Sequence, residues 1–541
     1  MATSKIVGRG PRAPVFDSSQ SLRPLVPARG GVRRKTQGED MMKVDAKAPG
    51  EKGRGDPLGA TARQGSWAGV LNLGGAGVRY LNTLILTRML GADLFGVYSL
   101  ANTVVTVSTV PASLGFPTAL THFVAGAAET SQWARLRWTL SWVLRVALVS
   151  GLMGALSLVV LSLWLAVDVF GKEDLALPLA GLALALPFLV LYNVCAGGLQ
   201  GLKAIREKVF IERVAHPLVF TLLLLGALGV SRTVEAVVLC FGAAALLVLL
   251  AGAWSLKRRL AALPAGRDAN GDRRGILRFS TPVMFLNLMN YLILWSDVLV
   301  MGAFRTRAEV GIYVVASRLA TAVNMPTEAL SASLAPSFSG LKEKGDSDGL
   351  ARLYRTSTRW IFLASTFVAL PLALAGKYVL ALFGPEYAAG ALALLILALG
   401  QAFSGAFGAN GTLITMTGHP KVNLANAVCF GLGNLGLMFL LIPRYGPLGA
   451  AVSAALSLCL VNVARAVEIW VLLKIAPWDR TLLKPGLALA LSASAGAAVA
   501  FLVHPVAGAA LSVLAYPSLW WLLGPEPEER ELVGKLRRSL P

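Results

Sequence analysis

Gly96-Val-Tyr98-Ser-Leu-Ala101 is matched, 215 residues later, by Gly311-Ile-Tyr313-Val-Val-Ala316. At the same offset Thr106 meets Thr321 and Pro111 meets Pro326, with no gap. Run backwards, the register sets Asn72 against Asn287, Asn82 against Asp297 and Leu84 against Leu299. Further on the offset becomes 217: Ala134-Arg135-Leu136 meets Ala351-Arg352-Leu353, and Gly201 meets Gly418. Two residues gained in one loop account for the change. Both copies lie in long apolar stretches. A membrane protein made of two copies of one helical unit places its cargo site where the copies meet.

The composition agrees with a membrane setting. The chain has 541 residues, 55% of them hydrophobic and 15% charged, with mean hydropathy +0.64. Soluble domains carry about 25% charged residues. Apolar runs of about 20 residues, enough to cross the hydrocarbon as a helix, recur along the chain. A β-barrel would instead show short alternating segments, and these do not dominate. Hydropathy predicts about fourteen spans, near 67–90, 94–127, 139–168, 175–198, 209–230, 234–256, 277–304, 309–338, 359–383, 388–416, 421–443, 447–473, 482–503 and 505–524. The second and eighth are too long for straight spans, and Pro111, Gly115 and Pro117 in one, Pro326 and Pro336 in the other, predict bends. The expected fold is therefore an all-α integral membrane protein with two pseudo-symmetric six-helix lobes around a central cavity, plus two C-terminal helices.

The organisation follows. Residues 1–66 form a basic Pro/Gly/Ser-rich tail, expected to be disordered and cytoplasmic, with Met41 or Met42 as an alternative start. This tail holds no apolar stretch that would read as a secretory signal. The first lobe covers 67–256, a cytoplasmic linker 257–276, the second lobe 277–473, the extra helices 474–524 and a cytoplasmic tail 525–541. Alternate loops differ in base content. Arg135 and Arg137, Lys203 to Lys208, Lys257 to Arg274, Lys342 to Arg355 and Lys474 to Lys484 fall in one set; the other is short and poor in base, Arg305 and Arg307 excepted. The positive-inside rule makes the basic set cytoplasmic and, with an even number of spans, both termini too. This distribution also answers the net charge of +21, which otherwise suggests nucleic acid as a partner. Cys195, Cys240, Cys429 and Cys459 sit in apolar runs and read as small hydrophobes, and the four His have no metal-ligand spacing.

Polar stripes run along the paired helices. Asn72, Arg79, Asn82 and Thr83 share a helical face in the first span, and Asn287, Asn290, Tyr291 and Asp297 form the corresponding stripe in the seventh. Asn102, Thr109 and Ser113 correspond to Ser317, Asn324 and Glu328. A charge inside lipid costs about 2.5–3.5 kcal/mol or more, so these stripes must face one another or water. The candidate cavity residues are Arg79, Asn72, Asn82, Asn102, Asn287, Asn290, Asp297, Arg318 and Asn324; Asp297, Glu328, Pro111 and Pro326 are candidates for gating or coupling. Arg79 suits capture of a phosphate or pyrophosphate, or else pairs with Asp297 or Glu328 across the bundle. Arg213, Arg465 and Glu468 are expected near span ends, where snorkelling suffices. Phosphate-binding loops, soluble carboxylate pairs and Ser/His/Asp sets are missing, which argues against an enzyme. No cofactor is called for, and coupling to protons, cations or membrane potential stays open.

The run Arg88-Met-Leu-Gly-Ala-Asp-Leu-Phe-Gly-Val-Tyr-Ser-Leu-Ala101 resembles the early signature of polysaccharide flippases in the multidrug/oligosaccharidyl-lipid/polysaccharide exporter superfamily. Ser296-Asp297, Glu309-Val-Gly-Ile-Tyr313, Ala316 and Arg318-Leu319 are similar to its seventh and eighth spans. Thr417-Gly418 through Asn426, Ile442-Pro443, Tyr445-Gly446 and Gly449-Ala450-Ala451 are similar to its eleventh and twelfth. The resemblance covers about 67–480. It implies flipping of undecaprenyl-pyrophosphate-linked oligosaccharide from the cytoplasmic to the periplasmic leaflet of the inner membrane, with membrane lipid, a polysaccharide polymerase and chain-length machinery as partners. It also implies a gap between the first and eighth helices for the lipid tail. Alternatives are a cation-coupled multidrug exporter, a lipid II flippase and a non-transporting scaffold of a glycan assembly complex. Multidrug exporters of this kind usually carry an acid in the amino-terminal lobe, whereas spans one to six here hold Arg79 and Arg145 and no clear mid-membrane acid.

Overall fold

The computed structural model describes residues 57–227, 233–264 and 271–524. Most of the expected amino-terminal tail and the whole of the carboxy-terminal one lie outside these residues. The described chain is helical, without a strand. Eleven of its helices are long and apolar enough to cross a membrane, or twelve if the bent pair Glu173–Ala183 and Leu186–Gly201 is one span. The remaining crossings come from breaks.

The first break is in α1 (Pro57–Ala112). Its apolar part, Gly74–Ala112, has 39 residues and would be about 58 Å long if straight, against about 30 Å of hydrocarbon. Gly91, at φ 69° and ψ 178°, is in a region essentially restricted to glycine and divides the helix into arms 57–90 and 92–112. Asn82 and Asn102 consequently line one pocket, though a continuous helix would hold them about 30 Å apart. The second copy makes the same reversal between α9 (Arg273–Phe304) and α10 (Arg307–Thr321). There Thr306 caps α10 reciprocally with Glu309, and Arg305 pairs with Glu309 at 2.9 Å.

Two of the expected bends are also present, after Pro111 and before Pro326, while Pro336 lies inside a helix without a break. The second arm of α1 ends beyond Pro111, and the chain turns through Leu114 and Gly115, both at positive φ, into α2 (Phe116–Glu129). In the other copy one tight turn, Ala322–Asn324, separates α10 from α11 (Met325–Glu343), with Pro326 in the first turn of α11 where its missing N–H costs nothing. The first lobe continues through α3 (Trp133–Trp164), α4 (Ala176–Ala183), α5 (Leu186–Gly201), α6 (Ile205–Phe210), α7 (His216–Ala227) and α8 (Val234–Ala261). The second continues through α12 (Ser347–Ala381), α13 (Ala391–Gly405), α14 (Asn410–Met416), α15 (Pro420–Tyr445) and α16 (Pro447–Leu473). Beyond them α17 (Leu483–Leu502) and α18 (Pro505–Leu522) pack on α12 through Leu370, Ala488 and Tyr516, with Tyr516 Oη 2.7 Å from Thr366 Oγ1. Leu156, Leu239 and Phe501 are among many large apolar side chains left on the outside, as lipid-facing helices require.

The lobes meet tightly at the end of the bundle that carries the Gly91 and Arg305–Thr306 reversals, here the far end. A methyl group on Gly96 would strike the carbonyl of Arg307, and one on Gly311 would strike the carbonyl of Ala92. Ala92 and Arg307 are themselves related by the repeat, so the contact is self-complementary, as across a two-fold axis. Around it Lys172 Nζ donates to the Gly302 carbonyl, Arg307 pairs with Asp174, and Arg88 Nε donates to the Leu382 carbonyl at 2.7 Å. Burial, then the nearby Arg307, holds the Lys172 ammonium below its usual pKa. Phe95 and Tyr387 add an edge-to-face contact at 6.3 Å. Between α2 and α9 the lobes touch again, Gly115 against the Ser280 backbone and His122 stacked on Phe279 at 4.9 Å.

Candidate functional site

A cavity of about 650 Å³ lies between the lobes, away from the far end. Arg79, Asn102, Thr106 and Thr109 line it from α1, and Ser113 from the turn after it; Tyr192 and Asn193 from α5; Glu212, Arg213, His216 and Pro217 from the π-bulge and the start of α7. The second lobe contributes Asn287 and Tyr291 from α9. A second pocket of about 410 Å³ shares Arg79, Asn102 and His216 with it. That pocket adds Tyr80, Thr83, Tyr98, Trp295 and Arg318, and reaches Thr321 and Met325 at the junction of α1 and the α10–α11 break. The larger cavity is rich in amide and hydroxyl groups, while the smaller is walled mostly by apolar and aromatic side chains.

The position of Arg79 follows from a proline. Pro217 has no N–H, so the carbonyl of Arg213, four residues before it, loses its helical donor. The backbone answers with a π-bulge over Ile211–Ala215, and Arg79 Nη1 donates to the released Arg213 carbonyl at 3.4 Å. Both guanidinium groups are exposed to the cavity. Arg318 is held at a deeper level, Nη1 donating to Thr83 Oγ1 at 2.7 Å, with the guanidinium 6.0 Å from the Phe95 ring centroid; Tyr80 Oη donates to the Arg318 carbonyl at 3.0 Å. Among the described residues neither Arg79 nor Arg318 has a carboxylate within ion-pair distance. The pairing of Arg79 with Asp297 or Glu328, open on sequence grounds, is therefore not made.

The other sequence candidates divide. Asn102 and Asn287 line the large cavity with Arg79. The Asn72 side chain lies outside what is described. Asn82 borders the smaller pocket but is buried: its amide donates to the Pro217 carbonyl at 3.0 Å and its oxygen accepts from the Thr221 hydroxyl. Asp297 lines neither pocket; Tyr313 Oη donates to it at 3.0 Å and the Val298 amide at 2.8 Å. Asn82 and Asp297 occupy equivalent repeat positions, and both tie their helix to a neighbour in their own lobe. The reason is helical phase. Ten residues at about 100° each leave Asp297 roughly 80° from the cavity-lining Asn287, and three residues leave Asn82 roughly 60° from Arg79, far enough to turn from the large cavity. Asn290 also stands outside both linings. Asn324 donates to Glu328 at 3.2 Å at the head of α11, and Glu328 is exposed there. Pro111 and Pro326 mark the two bends and touch neither pocket.

Several lining residues escape a reading by hydropathy. Arg213, expected to snorkel at a span end, faces the cavity, and Glu212, His216, Tyr192 and Asn193 join it. The signal was the spacing of Arg213 to Pro217, which exposes a carbonyl and tilts the flanking side chains inward. Glu468 accepts from the Asn426 amide at 2.6 Å inside the second lobe, where Asn410 also donates to Asn462 at 2.8 Å; Arg465 is half-buried nearby against Gly411. Arg145 lies on the outer face of α3.

Residues 61–342 match the family model described as polysaccharide biosynthesis protein. The probable low-salt glycan biosynthesis flippase Agl15 of Haloferax volcanii is 23% identical over 402 residues, covering 73% of this chain and 81% of its own. Among solved structures, lipid II flippase MurJ in an inward closed conformation aligns with TM-score 0.59 at 14% identity, over 85% of this chain and 99% of its own. The multidrug transporter DinF-BH aligns with TM-score 0.58 at 14% identity, over 78% and 98%. The likeness to these solved structures shows a shared all-α fold, and, by the family match over more than half of its length, the chain belongs to the polysaccharide biosynthesis proteins.

Proposed function

We propose that this protein flips an isoprenoid-pyrophosphate-linked oligosaccharide from the cytoplasmic to the outer leaflet of the inner membrane by alternating access of its lobes. The observation that carries this reading is the pair of arginines, Arg79 and Arg213, exposed in an amide- and hydroxyl-lined cavity, with Arg318 in the adjoining pocket. A guanidinium group kept in a membrane without an acidic partner is suited to an anion supplied by the cargo. The pyrophosphate rests against these cations, the sugars extend into the larger cavity, and the tail leaves beside Tyr80 and Met325, between the first span and the eighth. Positive-inside orientation places both termini and the cavity mouth in the cytoplasm, so the far-end contacts close the outer side. Bends at Pro111 and Pro326 let the lobe halves swing, with Glu328 beside the second bend. A polymerase and chain-length machinery consume the product on the outer face.

The first lobe does place one acid, Glu212, in the large cavity, contrary to the expectation from sequence, but it is paired with Lys208; the smaller pocket favours a flippase over a multidrug exporter, since its two charged lining groups are arginines, which would repel cationic drugs. Leaflet-resolved detection of lipid-linked oligosaccharide in a strain lacking the protein tests the reading. Accumulation on the cytoplasmic leaflet is expected; an unchanged distribution would favour a scaffold.

A further inference from the structure

The large cavity holds one carboxylate among its cations. Glu212 sits on the π-bulge, beside Arg213, and lines the cavity. Its Oε2 is 3.2 Å from Lys208 Nζ, one turn earlier, and its Oε1 has no protein partner among the described residues. The side-chain amides of Asn102, Asn193 and Asn287 line the same space and likewise make no protein hydrogen bond there. An ionised carboxylate accepts only, whereas an amide both donates and accepts. One acceptor-only group among free amides matches the surface of a sugar, whose hydroxyls both donate and accept.

We propose that Glu212 selects the sugar joined directly to the pyrophosphate: its carboxylate accepts hydrogen bonds from the hydroxyls of a neutral sugar and excludes one that carries a carboxylate there. This rests on the flippase reading, because the pyrophosphate against Arg79 and the Arg213 segment is what brings that first sugar beside Glu212. Like charges held together in a sheltered cavity oppose binding, and a site built to hydrogen-bond a hydroxyl discriminates strongly against a ligand that leaves it unpaired.

The test measures binding of synthetic isoprenoid-pyrophosphate-linked glucose and glucuronate to the full-length protein in nanodiscs. The wild type is expected to bind the glucose compound at least about tenfold more tightly, equivalent to about 1.4 kcal/mol. Glu212→Gln, which removes the charge and keeps the shape, is expected to lose most of that preference. Glu212→Asp, which keeps the charge, retains it. Lys208→Met leaves it in place. Equal affinity for the two compounds in the wild type, or an unchanged preference in Glu212→Gln, overturns the proposal. Loss of the preference in Lys208→Met as complete as in Glu212→Gln also overturns it, since the carboxylate would then serve only a helix ion pair. Sugar-free isoprenoid pyrophosphate separates this from the flippase reading. If it binds, and Arg79→Ala weakens it while Glu212→Gln does not, only the sugar selection is at stake; if it does not bind the wild type, the flippase reading itself fails.

Discussion

Arg79, Asn82 and Asp297 look alike in sequence, as polar residues inside lipid on repeat-related helices, yet they do different work. Arg79 is exposed to the cavity, and among the described residues its guanidinium is tethered only by the Arg213 carbonyl. Arg79→Ala is expected to lower cargo flipping at least about tenfold while leaving the amount of protein in the membrane unchanged, the loss of one charge-assisted contact being enough for that. Normal surface glycan in this variant would remove the cavity from the mechanism. Asn82 holds Pro217 and Thr221 within the first lobe. Asn82→Ala leaves buried partners unsatisfied and should cost about 1–3 kcal/mol of stability, read as a lower melting temperature in detergent. Asp297 accepts from the Val298 amide and the Tyr313 hydroxyl, and an asparagine can keep both contacts, its oxygen accepting from the amide and its NH2 donating to the hydroxyl. Asp297→Asn should therefore keep most transport, whereas a transport-dead protein of normal abundance would return Asp297 to a coupling role. The stripe was legible as a stripe. Which members leave its face depends on a phase difference of about 60–80°, too small to separate by spacing alone without knowing where the neighbouring lobe begins.

At the scale of elements, breaks carry most of the information. Gly91 reverses the chain inside one continuous apolar run, and its backbone conformation is closed to other residues. Gly91→Ala should cost about 1–3 kcal/mol and lower the yield of folded protein, measured by size-exclusion of the solubilised chain. Pro217 acts in the opposite sense, through the hydrogen bond it prevents. Pro217→Ala restores an N–H for the Arg213 carbonyl, withdraws the acceptor of Arg79 and should weaken pyrophosphate binding without destabilising the lobe. Unaltered pyrophosphate affinity in that variant would detach the π-bulge from the site. Spans, bends and the register of the duplication were legible because hydropathy, proline and glycine report directly on backbone chemistry. The use made of the π-bulge was not, because Pro217 marks where a carbonyl is released, but the donor that takes it up, Arg79, lies more than a hundred residues away.

At the scale of the molecule, the duplicated sequence produces unequal halves. The large cavity draws nearly all of its lining from the first lobe, and the second supplies Asn287 and Tyr291. Where Arg79 stands in one copy, the other has Leu294, exposed on the outside. The far end, by contrast, has kept its symmetry: Gly96 lies on the Arg307 carbonyl and Gly311 on that of Ala92. The cavity lining has thus diverged between the copies, while this pair of glycine contacts has not. A seam of this kind is what two separate, identical chains would form, each offering the other the same glycine and the same carbonyl. Because that contact is self-complementary, the two halves should still recognise each other when expressed as separate chains.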